Sequence, residues 1–156
     1  MSAGERKREL IANLLAGQTT LSLATVTPDG LPRVTPLFYL PQELRLYWFS
    51  SPSSGHSRNL AAQSDCAVTV YGPAATWKEI RGVQMRGVAS RVSAPEILKD
   101  LTPQYITRFQ LSRLFQPLIA KSALYCFEPQ WLRYLDNSRR FGYKFELTLT
   151  AQSTEC

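Results

Sequence analysis

Histidine is nearly missing from this chain: His56 is the single imidazole in 156 residues. Cysteine is scarce, and Cys66, Cys126 and Cys156 are widely spaced and odd in number. That excludes a disulfide framework and a Cys-x-x-Cys metal pair, and it leaves a structural zinc site without a ligand set. No apolar run approaches the roughly 20 residues that span a bilayer as a helix. The N-terminus, MSAGERKREL, is charged and has no apolar h-region, so no secretory signal is expected. A reducing cytoplasm suits these features. Acidic residues are in deficit as well, 12 Asp and Glu against 18 Lys and Arg, for a net charge of +6. Such a balance is either an ordinary basic surface or an affinity for anions such as phosphates, nucleotides or nucleic acid. Repeats and linkers are absent. The length suits one domain over residues 1–156, with a helix at 1–17 and a frayed tail at 151–156.

What is present is mostly strand-like. GERKRELIANLLAG places Leu10, Ile11, Leu14 and Leu15 on one helical face, with Gly17 as a stop. Leu21 and Leu23 then alternate with polar neighbours. TPDG makes a turn in which proline presets φ and glycine supplies the positive φ, and Pro32 to Leu40 forms the returning arm. Its two prolines cannot donate to a ladder, so this arm is an edge or irregular strand. LRLYWFS, DCAVTVY, KEIRGVQMRGVASRV, ALYCFEPQWLRYLD and FGYKFELTLT complete six or seven strands. In the longest of these strands Val83, Met85 and Ala89 share a face, and Gly82 and Gly87 mark bulges or close backbone approaches. Residues 93–122 read as helix broken near Pro103 and Pro117, with Ser93 as cap and Glu96 completing a capping box. The expected fold is mainly β: a closed or half-closed antiparallel barrel with flanking helices.

SSPSSGHSRNL, Ser50 to Leu60, joins two strands and holds five serines, the lone histidine and Arg58. A strand running into a short helix gathers backbone N–H groups and the positive end of a helix dipole at one point, which suits an anion. Serine hydroxyls add donors, Arg58 adds a charged fork, and His56 becomes cationic beside a dianion. The alternatives are a flexible serine-rich loop, or Ser54 acting only as a helix cap.

The ordered set LATVTPDGLPRVTPLFYL, LYWFSSPSSGHSRNLAAQSDCAVTVY and IRGVQMRGVASRV resembles the pyridoxamine phosphate oxidase-like FMN-binding split-barrel family. The ending WLRYLDNSRRFGYK is similar to that of small bacterial members of this superfamily. The resemblance covers nearly the whole chain. It implies an antiparallel six- to seven-stranded split barrel and a homodimer with FMN in a groove between subunits. It implies an isoalloxazine near Thr35, Pro36 and Leu37, and a phosphate held by Ser50, Ser51, His56, Ser57 and Arg58. Gln84 would reach the flavin from the same or the partner subunit. His56 stands where the family usually has lysine. True pyridoxamine phosphate oxidases of this kind use a C-terminal arginine and histidine to grip substrate, and haem-degrading relatives use a C-terminal histidine ligand. No histidine follows His56, so neither activity is expected. The implied function is an FMN-dependent oxidoreductase with an unidentified substrate. The alternative is a non-catalytic dimeric binding module that has lost FMN or takes another anion.

Other residues invite other chemistries. Cys66 and Cys126 lie in apolar strands and read as core. His56 with a serine and Asp65 would make a triad, but sequence neighbours rarely adopt triad geometry. Trp48, Trp77 and Trp131 beside basic residues could form a nucleic-acid platform. Trp48 instead fits a strand pattern, and Trp77 suits a substrate lid or dimer contact. Asn137 to Arg140 reads as a solvated turn, or as a cover over the partner's groove in which Arg139 and Arg140 favour an anion. Neither nucleic acid nor membrane is expected as a partner.

Overall fold

Helix α1 (Ala3–Gly17) begins where Ser2 and Glu5 satisfy each other's backbone N–H groups. Ser2 Oγ accepts from Glu5 N at 3.1 Å, and the Glu5 carboxylate accepts from Ser2 N at 2.5 Å. Its Ile11, Leu14 and Leu15 are buried, each contributing roughly 1.5–3 kcal/mol of apolar transfer. The computed structural model describes residues 1–150; the expected tail at 151–156, with Cys156, lies outside the described residues. Strands β1 (Thr20–Val26) and β2 (Pro32–Phe38) form the first hairpin, with Gly30 at φ 85° in its turn. β3 (Leu40–Gln42), β4 (Arg45–Ser50), α2 (Gly55–Ala62), β5 (Asp65–Tyr71) and β6 (Arg81–Arg91) follow. Then come α3 (Pro95–Arg108), α4 (Gln116–Lys121), β7 (Ala123–Asp136) and β8 (Lys144–Thr148).

All strands belong to one antiparallel sheet in the order β2-β1-β5-β6-β7-β4-β3, with β8 added to β7. It curls as a half-closed barrel around a core of Leu21, Leu23, Tyr39, Leu46, Trp48, Val68, Val83, Met85, Ala89 and Phe127, sealed by α1. A second cluster, including Leu40, Tyr47, Val92, Leu101, Tyr105, Leu124 and Cys126, lies under α3. Cys126 is buried and Cys66 half-buried, as strand residues should be.

The expected prolines find places that tolerate them. Pro32 and Pro36 lie on edge strand β2, and Pro41 on edge strand β3, where a missing N–H breaks no interior ladder. Pro129 lies on central strand β7, at the bulge where the β6–β7 register slips beside Gly87. There a Cβ on Gly87 would stand 2.0 Å from the Glu128 carbonyl oxygen, so only glycine permits the approach.

Three local expectations are corrected. The second arm of the first hairpin is two strands, because Tyr39 turns inward between β2 and β3, is fully buried, and donates its hydroxyl to Leu15 O at 2.6 Å. Among the described residues seven strands make the continuous half-barrel, within the expected six or seven, and β8 is added against β7. Ser93 does not cap α3: the N-cap is Ala94, without a side-chain bond, because Pro95 at the first helical position drives the preceding residue to extended backbone. Pro103 lies inside α3 without ending it. The break falls later, at residues 109–115, where Gln110 has φ 49°.

Candidate functional site

The loop after β4 does hold a helix start. Ser54 is the N-cap of α2, and its Oγ accepts from Ser57 N at 3.3 Å, satisfying one of the open donors of the first turn. Around it runs a chain of hydroxyls. Ser54 Oγ donates to Ser57 Oγ at 2.8 Å, and His56 Nε2 lies 2.8 Å from Ser50 Oγ and 3.1 Å from Ser54 Oγ. The helix is tied to the barrel through Asn59, whose buried amide donates to Thr25 Oγ1 on β1 at 3.0 Å. Burial pushes the His56 pKa below its usual value, so its imidazole is neutral at pH 7 while no anion is bound.

Between α2 and the edge strand β2 lies a groove of about 370 Å³, lined by Thr27, Arg33, Val34, Thr35, Gly55, His56, Arg58 and Asn59. Its charged lining is two guanidiniums, with no carboxylate. The space above the first turn of α2 is open: a Cβ on Gly55 would meet nothing within 4 Å. Arg58 keeps one bond to the protein, Nη1 to Ser53 O at 2.8 Å, which orients the guanidinium and leaves other donors for a ligand.

The structure sorts the sequence-chosen residues. Thr35, His56 and Arg58 come together in the groove. Ser50 and Ser57 are buried behind it, Ser50 against His56 and Ser57 within the cap. Ser51 is exposed, and its Oγ bonds Ser53 Oγ. Thr35 and Leu37 pair with Leu23 and Leu21, on the core face of β2, whereas Pro36 pairs with Ser22 on the opposite face. These three residues therefore share a strand and not a face. Gln84 is exposed on that opposite face, in a cross-strand row running Pro36, Ser22, Thr69, Gln84, Arg133. It is three strand spacings from β2, roughly 14 Å, and does not line the groove.

Sequence reasoning missed Arg33. It faces Thr25 across the β1–β2 ladder and so projects on the side where α2 sits. The alternation of PRVTPLF put it on Thr35's face, two residues away, and that signal was available. In sequence Asn59 is only a helix residue, because its partner Thr25 is 34 residues distant.

Residues 8–136 match the family described as pyridoxamine 5'-phosphate oxidase. The chain belongs to that family. Among curated relatives, a UPF0306 protein of Klebsiella pneumoniae is 27% identical over 106 residues, 68% of each chain. The fold resembles a heme binding protein from Mycobacterium smegmatis, with TM-score 0.74 and 21% identity over 95% of this chain and 58% of that one. A conserved hypothetical protein from Mycobacterium tuberculosis matches with TM-score 0.74 and 22% identity over 99% of this chain and 95% of that one. The chain thus spans little more than half of the M. smegmatis protein. At these identities the likeness is one of fold, and it bears out the split barrel expected of a pyridoxamine 5'-phosphate oxidase family member. Among the described residues no helix is long and apolar enough to cross a membrane.

Proposed function

We propose that this chain is an FMN-binding member of its family, acting as an oxidoreductase on a small substrate. The observation that carries the reading is the basic groove in which Arg33, Thr35, His56 and Arg58 meet at the open first turn of α2. Two guanidiniums, an imidazole and helix N–H groups form a donor set that fits a phosphate dianion. Bound there, FMN would supply one- or two-electron transfer. The chain's own residues would do the rest. Arg33 and Arg58 neutralise the phosphate, Thr35 offers a hydroxyl, and Asn59 holds α2 against β1.

The same reading includes a cytoplasmic homodimer of one-domain chains. The outer face of β2, β1, β5 and β6 carries half-buried Ser22, Ala24, Ala67 and Thr69, flanked by exposed Val34, Phe38 and Tyr71. Packing this face on a second copy would bury it together with Gln84, which does not reach the groove of its own chain.

The test is a titration of FMN fluorescence quenching, run beside haemin because haem propionates would meet the same arginines. Saturable quenching at one FMN per chain supports the reading. Preference for haemin, or no FMN binding, replaces it with a barrel that binds another anion. Light scattering should give twice the 17.6 kDa chain mass; a monomer would remove the shared groove.

A further inference from the structure

His56 is held by two serines, Ser50 and Ser54, and a third, Ser57, engages Ser54, so the protons these hydroxyls have available bear on its state. A hydroxyl owns one hydrogen and two lone pairs. Ser54 spends its hydrogen on Ser57 Oγ at 2.8 Å and one lone pair on Ser57 N at 3.3 Å. It has no hydrogen left for the imidazole 3.1 Å away. A hydrogen bond between Ser54 and His56 then takes its proton from the ring and requires Nε2 to be the protonated nitrogen; the competing arrangement, in which Ser50 donates to a bare Nε2, leaves the Ser54 contact without a proton. In the Nε2–H form the same N–H also reaches Ser50 Oγ at 2.8 Å, so both serine contacts are satisfied at once. Were Nε2 bare, its lone pair would face a lone pair of Ser54. Ser50 and Ser57 are both buried, so water does not readily replace either partner. Nδ1 has no protein partner among the described residues, and the ring belongs to the groove lining.

We propose that Ser50, Ser54 and Ser57 hold His56 as the Nε2–H tautomer and leave Nδ1 as the groove's proton acceptor, so that the groove takes up its anion together with a proton. This rests on the FMN reading only for the identity of the anion. Ser54 and Ser57 are positioning residues that act through the ring. A lysine at the same place would already be charged and would take up nothing. The charged groups lining the groove with His56 are Arg33 and Arg58. Burial opposes protonation of His56 while the groove is empty, and a bound dianion reverses that balance.

Two measurements test it. In ligand-free protein, long-range ¹H–¹⁵N NMR of the single histidine should show a protonated, pyrrole-type Nε2 and a bare, imine-type Nδ1. Ser57→Ala releases the Ser54 hydroxyl to donate to the ring and should give a tautomer mixture with the fold retained. Calorimetry of FMN binding near pH 7.5, in buffers of different ionisation enthalpy, should show uptake of about half to one proton per site. His56→Lys should bind FMN within about tenfold of wild type with that uptake gone. An Nδ1–H tautomer in the free protein, or FMN binding with the same uptake in wild type and His56→Lys, overturns the proposal. If FMN fails to bind while the free protein shows the Nε2–H form, the tautomer assignment stands and the FMN reading falls.

Discussion

Gly87→Ala should be among the most damaging single-methyl additions in this chain. The new Cβ would stand 2.0 Å from the Glu128 carbonyl oxygen and 2.9 Å from both the Glu128 carbonyl carbon and Pro129 Cα. All three are backbone atoms of the neighbouring central strand, so no side chain can rotate away. Relief requires β6 and β7 to part at their bulge, between the Arg86–Trp131 and Gly87–Pro129 pairs. Overpacking of this kind costs about 1–3 kcal/mol, and each ladder hydrogen bond lost adds about 0.5–1.5 kcal/mol. The expected loss is about 2–5 kcal/mol, or a Tm lower by roughly 5–20 °C for a chain of this length. Urea unfolding should show the midpoint falling with little change in slope. Gly17→Ala is the control: its Cβ meets nothing within 4 Å, and it should stay within about 1 kcal/mol of wild type, on the stabilising side. A Gly87→Ala protein less than about 1 kcal/mol weaker than wild type would refute the steric reasoning.

Other consequences follow from buried polar contacts. Burial pushes the Asp136 carboxyl up, but hydrogen bonds from Ser138 and Tyr134 and the nearby Arg81 outweigh it and hold the pKa below the usual carboxylate value. Its stabilisation is therefore complete above the unfolded value near 3.9 and is lost as pH falls through the lower folded value. Asp136→Asn should lower stability by about 1.5–3 kcal/mol at pH 7 and by much less near pH 3; urea midpoints that show an equal penalty at both pH values would contradict this. Thr25→Val strands the Asn59 amide and should remove about 1–3 kcal/mol of stability together with several-fold FMN affinity, whereas Thr25→Ser should restore both. Unchanged unfolding in Thr25→Val would mean that α2 is not seated through this bond.

The strands and the main core were legible because they are periodic. Leu21 and Leu23, and Val83, Met85 and Ala89, alternate as half-buried strands must, and all five are buried. Gly87 announced a close approach, and the prolines of the first hairpin announced an edge. Local pattern failed where a distant contact decided the outcome. Tyr39 breaks a strand because its hydroxyl finds Leu15 O, 24 residues earlier. Asn59 earns its place through Thr25. Side-chain chemistry favours Ser93 as the cap of α3, but Pro95 restricts the backbone of Ala94 and makes Ala94 the N-cap. At the site, composition pointed to the right loop but not to its internal order. Serines look alike in sequence, yet Ser57 is buried in the cap, Ser50 braces His56, and Ser51 faces solvent. Gln84 was legible as a strand residue, but only the strand order shows that three spacings separate it from β2.

The central claim is that the groove between α2 and β2 holds the phosphate of FMN. FMN fluorescence quenching should be measured for wild type and for the Arg33→Ala/Arg58→Ala double variant, at low and high salt near pH 7. Both side chains are exposed, so their contribution is screened and should shrink as salt rises. Wild type should bind one FMN per chain, and the double variant should bind at least about tenfold more weakly at low salt, with a smaller salt dependence. Equal affinity and equal salt response in the two proteins would place FMN elsewhere and contradict the account.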